Sequence, residues 1–346
     1  MTMVKFFILL VCFALSWAGT GLFIRYAKRR DLLDMPNSRS SHSTPTPRGG
    51  GAVIAGLFLF GVLVTLLFFP EGDKPFLLAM LTGGSIIAVT GWIDDVKGLA
   101  PKIRLGFQFI AVAIALFIVG GFPSLNLGFM TVPLGILGLP LALVAGVWLI
   151  NLYNFMDGID GLAAGEAVIV SFAAYFITSW AGDVETSFLL LMLAAFVGGF
   201  LFWNWHPARI FMGDSGSCFL GFVFAVFAIA GERSGTAPAL VWAMLLSVFT
   251  VDATLTLLKR ARQKKDFAVA HREHLYQQVA TPGKSHEKAT ALFLAATVLV
   301  CLLAWLFKRA FFTGFVLTYI ILVLTWSAMY PRLRTRAAST EGGKGS

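Results

Sequence analysis

The sequence predicts an all-α polytopic membrane protein with about eleven transmembrane helices, and three observations predict it. Of its 346 residues 58% are hydrophobic and only 13% charged, with 33 Phe and a mean hydropathy of +0.80. A soluble domain is about half apolar and a quarter charged, so this excess of apolar surface needs lipid to cover it. Apolar stretches of about 18 to 22 residues recur along the chain, each able to cross a hydrocarbon core about 30 Å thick at about 1.5 Å per residue. Between them, the Asp, Asn, His and Arg residues collect in every second loop.

The first stretch, 4–24, has Lys5 before it and small residues at its end, as a signal peptide would. Arg25, Lys28, Arg29 and Arg30 follow directly, which reads as a stop-transfer flank, so the stretch is kept as a helix. The next spans are 52–69, 76–93, 105–121, 132–150, 162–181 and 187–203. The eighth, 217–230, is short; 239–258, 290–307 and 311–329 complete the set. All but five of the 27 Lys and Arg residues fall in loops after odd-numbered spans or in the tail. Short cytoplasmic loops retain Lys and Arg, so the N-terminus is expected outside and the C-terminus inside. Residues 1–330 are read as one membrane domain with cytoplasmic loops 25–51, 94–104, 151–161, 204–216 and 259–289. Residues 331–346 are read as a basic, disordered tail.

The net charge of +9 would suggest nucleic acid in a soluble protein. Here the positive-inside rule accounts for most of it, and anionic headgroups or a phosphorylated substrate are sufficient partners. Cys12, Cys218 and Cys301 are scattered without CxxC spacing, so neither zinc nor a disulfide framework is indicated.

Five polar groups line the inner loops. The first runs from Asp34 to His42, then Pro45-Thr-Pro-Arg48 and Gly49-Gly50-Gly51, where glycine amides entering a helix beside Arg48 could meet an anion. The second is Asp94-Asp95, followed by Lys97, Lys102, Arg104 and Gln108. Adjacent carboxylates at a membrane boundary need a cation, an arginine or a proton between them. The third is Asn151-Leu-Tyr-Asn154-Phe-Met-Asp157-Gly-Ile-Asp160-Gly161, whose oxygen-bearing side chains suit a hard cation such as Mg²⁺. The fourth is Phe211-Met-Gly213-Asp214-Ser215-Gly216-Ser217, where Asp214 could cap a helix or ligate metal. The fifth, His271-Arg272-Glu273-His274-Leu275-Tyr276, is not HExxH, so it does not point to a zinc hydrolase. Glu166 and Asp252 lie inside predicted spans close to inner loops and are left out of the site.

In this order, the groups resemble the polyprenyl-phosphate N-acetylhexosamine-1-phosphate transferase superfamily (glycosyltransferase family 4), over roughly residues 34–276. The PNxRSSH, PRGGG and HREH strings look most similar to the branch that initiates O-antigen. The resemblance implies a cytoplasmic-face active site where a UDP-N-acetylhexosamine and undecaprenyl phosphate give undecaprenyl-diphospho-sugar and UMP. It implies Mg²⁺, with Mn²⁺ as a substitute, held by Asn154 and Asp214. Asp94 and Asp95 match the pair that handles the lipid phosphate, and Asp157 joins them as catalytic. Asp160 matches the contact to the uracil end, while His271, Arg272 and His274 match the segment facing the diphosphate or sugar. Arg48, Arg104 and Asn151 complete the substrate-binding set, and a homodimer is also allowed. An ion-coupled transporter would require midplane polar residues and inverted repeats, and neither is visible. A CDP-alcohol phosphatidyl transferase would require DG-x-x-A-R, but Asp157-Gly158 continues as Ile-Asp-Gly.

Overall fold

The computed structural model describes residues 3–36, 44–69, 72–265, 272–280 and 286–342, with side chains as far as Arg332. Its elements are α1 (Met3–Arg29), β1 (Leu33–Asp34), β2 (Thr46–Pro47), α2 (Gly51–Phe68), α3 (Lys74–Lys97) and α4 (Pro101–Val119), then β3 (Ser124–Asn126), β4 (Thr131–Pro133) and α5 (Gly138–Met156). There follow α6 (Leu162–Trp180), α7 (Val184–Asn204), α8 (Asp214–Ser234), α9 (Ala239–Leu245), α10 (Ser247–Arg262), α11 (Leu275–Val279), α12 (His286–Leu306) and α13 (Phe311–Gly342). Among the described residues ten helices are long and apolar enough to span a membrane, and the pair α9–α10 makes an eleventh. The protein is therefore an all-α polytopic membrane protein.

Helix α8 sits at the centre, packed against α2, α3, α4 and α5. It is the most buried span, and Phe219, Phe222, Phe224 and Phe227 are all fully covered. A helix apolar on every side belongs inside a bundle. Its outer turns carry Asp214, Glu232 and Arg233, which is why the apolar run looked short although the helix has 21 residues. At the periphery Phe117 of α4 is 86% exposed and α1 shows Phe6, Phe7 and Trp17, the surface that lipid covers.

Three features differ from the sequence expectation. The ninth span is broken at Leu246, where α9 and α10 diverge by 79°, and no Gly or Pro marks the break. The segment between α4 and α5, expected only as a connection, forms an antiparallel hairpin, β3 with β4, in which Leu125 faces Val132. Glu232 ties it down by accepting from the N–H groups of Asn126 (2.5 Å) and Ala239 (2.8 Å). Helix α13 contains Pro331 and runs on to Gly342, past the point where the sequence reading ends the membrane domain.

Candidate active site

Consecutive spans run in opposite directions, so the C-termini of α3, α5 and α7 meet the N-termini of α4, α6 and α8 at one face. Asp95, in the last turn of α3, accepts from the backbone N–H groups of Asp214 (2.9 Å) and Ser215 (3.0 Å) and from Arg48 Nε (3.1 Å). It therefore caps α8 from another helix, satisfying donors that a helix start leaves open. Gly213 has φ +74°, and a Cβ there would lie 2.5 Å from Asp95 Oδ2, so the turn admits only glycine. A Cβ on Gly51 would lie 2.2 Å from the Gly216 Cα, which brings the start of α2 directly against the first turn of α8.

That contact corrects one expectation. The amides of Gly50 and Gly51 donate to the carbonyls of Phe211 (3.0 Å) and Met212 (2.8 Å), so they join two loops and are not open to an anion. Arg48 is oriented by the same junction, its Nη2 donating to the Asp94 carbonyl (3.3 Å).

Asp94 is buried at the α3 terminus and accepts from Leu99 N–H (2.5 Å) and Arg104 Nη1 (2.8 Å). The same Arg104 nitrogen donates to Asp214 Oδ2, joining α3, α4 and α8 through one guanidinium. Asn154 Nδ2, from α5, donates to Asp214 Oδ1 (3.1 Å) and Ser217 Oγ (2.9 Å). Asn151, one turn earlier, donates to Gln108 Oε1 (2.6 Å) and to the Val147 carbonyl (2.8 Å), so its amide nitrogen braces α5 against α4.

Asp157 ends α5 half-buried, and its carboxylate accepts no hydrogen bond from the described residues. Burial, reinforced by the facing carboxylates of Asp214, Asp95 and Asp160, pushes its carboxyl up to about 7. A cation would relieve this crowding. The available donors, Asp157, Asp214 and the Asn154 amide oxygen, are hard oxygen ligands that suit Mg²⁺.

Asp160 opens the turn into α6. Its Oδ2 accepts from Ala208 N–H (3.0 Å) and lies 2.8 Å from His206 Nδ1, while its carbonyl accepts from Thr290 Oγ1 of α12 (2.9 Å). Sequence reasoning missed His206 and His286, which lie in the predicted loops 204–216 and 259–289 but outside the polar strings singled out there.

The loop between α10 and α12 is arranged differently. His271 lies outside the described residues, as does the segment 37–43 with Arg39 and His42. Arg272 is exposed at the loop. His274 is 3% exposed, stacked on Phe155 (6.3 Å between centroids) and Tyr276 (5.8 Å). Burial, with Arg260 nearby, lowers its pKa to about 4, so the ring is neutral near pH 7. It is packed as part of the frame and offers no charge to a diphosphate. Asp252 of α10 caps α11 by accepting from Leu275 N–H (2.7 Å) and Tyr276 N–H (3.1 Å), with Trp326 Nε1 at 3.1 Å. Tyr276 Oη donates to the Phe155 carbonyl (3.0 Å), which docks the loop on the end of α5. Glu273 pairs with Arg260 (2.6 Å) and Lys265 (2.9 Å).

Comparison with known proteins adds an independent line. The profile of glycosyl transferase family 4 matches residues 77–232. The chain is 30% identical over 314 residues, covering 88% of this chain and 85% of the relative, to a Bacillus subtilis protein described as a probable undecaprenyl-phosphate N-acetylglucosaminyl 1-phosphate transferase. It is 28% identical to the decaprenyl-phosphate N-acetylglucosaminephosphotransferase of Mycobacterium leprae, over 93% of this chain and 89% of that one. It is 29% identical to the phospho-N-acetylmuramoyl-pentapeptide-transferase of Endomicrobium trichonymphae, over 75% and 79% respectively.

Proposed function

Because the chain belongs to glycosyl transferase family 4, we propose that it moves an N-acetylhexosamine 1-phosphate from a UDP-sugar to undecaprenyl phosphate, releasing UMP, at the cytoplasmic face of a bacterial inner membrane. The observation that carries this reading is the junction of Asp94, Arg104, Asn154 and Asp214. Four helices deliver carboxylates, an amide and a guanidinium to one point at one end of the bundle. Phosphoryl transfer requires that combination: a positioned nucleophile, a cation on the diphosphate, and donors that offset transition-state charge.

In the proposed reaction an oxygen of the lipid phosphate attacks the sugar-bearing phosphorus and the UMP phosphate leaves. Mg²⁺ held by Asp214, Asp157 and Asn154 would supply Lewis acidity at the diphosphate oxygens. Arg104 is about one-third exposed, so it can turn from the two carboxylates toward an incoming phosphate. Arg48 lies on the same rim. Asp94 orients the nucleophile; a phosphate ester with a second pKa of about 6 is already largely dianionic near neutral pH, so it needs little help from a base. Asp95 is a positioning residue, since its oxygens are engaged by α8 and Arg48. Asp160 is assigned to the uracil end of the donor and Arg272, with His271, to the diphosphate or sugar. The PNxRSSH, PRGGG and HREH strings favour initiation of O-antigen.

The test is purified protein with Mg²⁺, undecaprenyl phosphate and a panel of UDP-N-acetylhexosamines, scored by UMP release. Release with at least one sugar, dependent on Mg²⁺ and on the lipid phosphate, is the expected result. Folded protein that releases no UMP with any sugar would refute the reading.

A further inference from the structure

A second group of ligating side chains stands apart from the carboxylate junction. Asp160 (the turn before α6), His206 (the loop after α7) and His286 (the first residue of α12) converge, with one ligand atom from each lying within 4.8 Å of the others. The two imidazole rings are 5.8 Å apart between centroids. These residues are 46 and 80 positions apart in sequence order, so no local helix or turn requirement explains their meeting.

The surrounding bonds hold the three segments in place. Ala208 N–H donates to the Asp160 carboxylate two residues after His206, and Asn204 Oδ1 accepts from Gly161 N–H at 3.1 Å. Thr290, one helical turn beyond His286 and on the same face of α12, donates to the Asp160 carbonyl. Such outer contacts orient ligands before an ion arrives. His206 is exposed, so a small side-chain rotation can close the group toward metal–nitrogen distances of about 2.0–2.1 Å.

We infer that Asp160, His206 and His286 form a cation site for a divalent transition metal of the Zn²⁺ class. Two imidazoles and one carboxylate match the borderline-soft metals, whereas the Asn154, Asp157 and Asp214 donors offer only oxygen and match Mg²⁺. Three protein ligands leave a fourth position for water or another oxygen donor. Asp157 and Asp160 stand three residues apart, so one short turn serves two sites of different hardness. A bound ion would fasten the α5–α6 turn, the α7–α8 loop and the start of α12 together. Both bonds to the Asp160 carboxylate use Oδ2, which leaves Oδ1 for the uracil contact proposed above, and zinc binding is measured without any transfer assay.

The experiment uses the full-length, tag-free protein in detergent, dialysed against Zn²⁺ in the presence of excess Mg²⁺, with bound zinc measured by elemental analysis. One Zn²⁺ per chain is expected for the unmodified protein and for Asp214→Asn, and at least a tenfold weaker retention for His206→Gln and for His286→Gln. No retained zinc, full retention by both histidine variants, or loss with Asp214→Asn would each overturn the site, the first leaving His206 and Asp160 as a plain hydrogen-bonded pair. Since a variant could fail to fold, Co²⁺ is added to the unmodified protein as a second measurement. An intense visible d–d band from imidazole-ligated Co²⁺ supports the site, and the weak spectrum of hydrated Co²⁺ overturns it.

Discussion

Asp95 of α3 and Asp252 of α10 use the same device in two regions of the molecule. Each reaches across to the start of another helix, α8 or α11, and accepts from two successive backbone N–H groups. What surrounds the two caps differs. Beside Asp252 the charges are matched: Glu273 lies between Arg260 and Lys265, and His274 is neutral. Asp95 itself is paired with Arg48, but around it the carboxylates of Asp94, Asp157 and Asp214 gather with only the Arg104 guanidinium, shared by two of them. The balanced region serves as frame. The region left with surplus negative charge is the one suited to take up a cation and a phosphate.

That contrast can be broken by substitution. The largest effect is expected for Asp214→Ala, a loss of about a thousandfold in Mg²⁺-dependent UMP release with folding retained, on the scale of removing a key electrostatic group from an active site. Near-normal turnover would remove Asp214 from the metal site. Asp94→Asn is expected to lower turnover about a hundredfold at every pH. Activity that climbs back toward normal at high pH would instead make Asp94 a base. Asp95→Asn and Asp252→Asn should each cost about 1–3 kcal/mol of stability, the scale for disturbing a buried hydrogen-bonded group. Only the Asp95 variant should also reduce kcat, because α8 carries Asp214; equal kcat losses would erase the distinction between centre and frame.

The smallest effect concerns pH. His274 titrates near 6.5 when unfolded and at about 4 in the fold, so between those values the unfolded chain binds more protons and stability falls as pH falls. The contribution is intact above about pH 6.5 and its loss amounts to about 1 kcal/mol near pH 5.5. Melting temperatures of the unmodified protein and of His274→Asn, compared at pH 7.5 and 5.5, should show a smaller acid shift in the variant.

Much of this arrangement could be read from residue order. The spans were visible because lipid demands unbroken apolar runs, and α8 was misjudged only in length, since its polar end turns sit beyond the run. Asp94, Arg104, Asn154 and Asp214 were each singled out because they lie in compact strings at span ends, but that they bond to one another was not read from the sequence. What stayed hidden depends on contacts between distant segments. Asp95 and Asp94 are adjacent in sequence, yet one caps α8 and the other meets Arg104, a difference set by which way each side chain leaves α3. Asp252 looked like an interfacial carboxylate because its donors, Leu275 and Tyr276, contribute only backbone N–H. His206 and His286 gave no signal at all, being brought together by the docking of α12. The break at Leu246 is likewise a packing outcome, with apolar residues on both sides of it.

The bond from Trp326 to Asp252 has a consequence in time as well as in space. The tryptophan belongs to α13 and follows the carboxylate by 74 residues, so α10 and α11 are fully tethered only once α13 has been made and has docked. A truncated product ending before Trp326 would carry every recognisable motif and still hold its last loop loosely. Full tethering of that loop thus waits on α13.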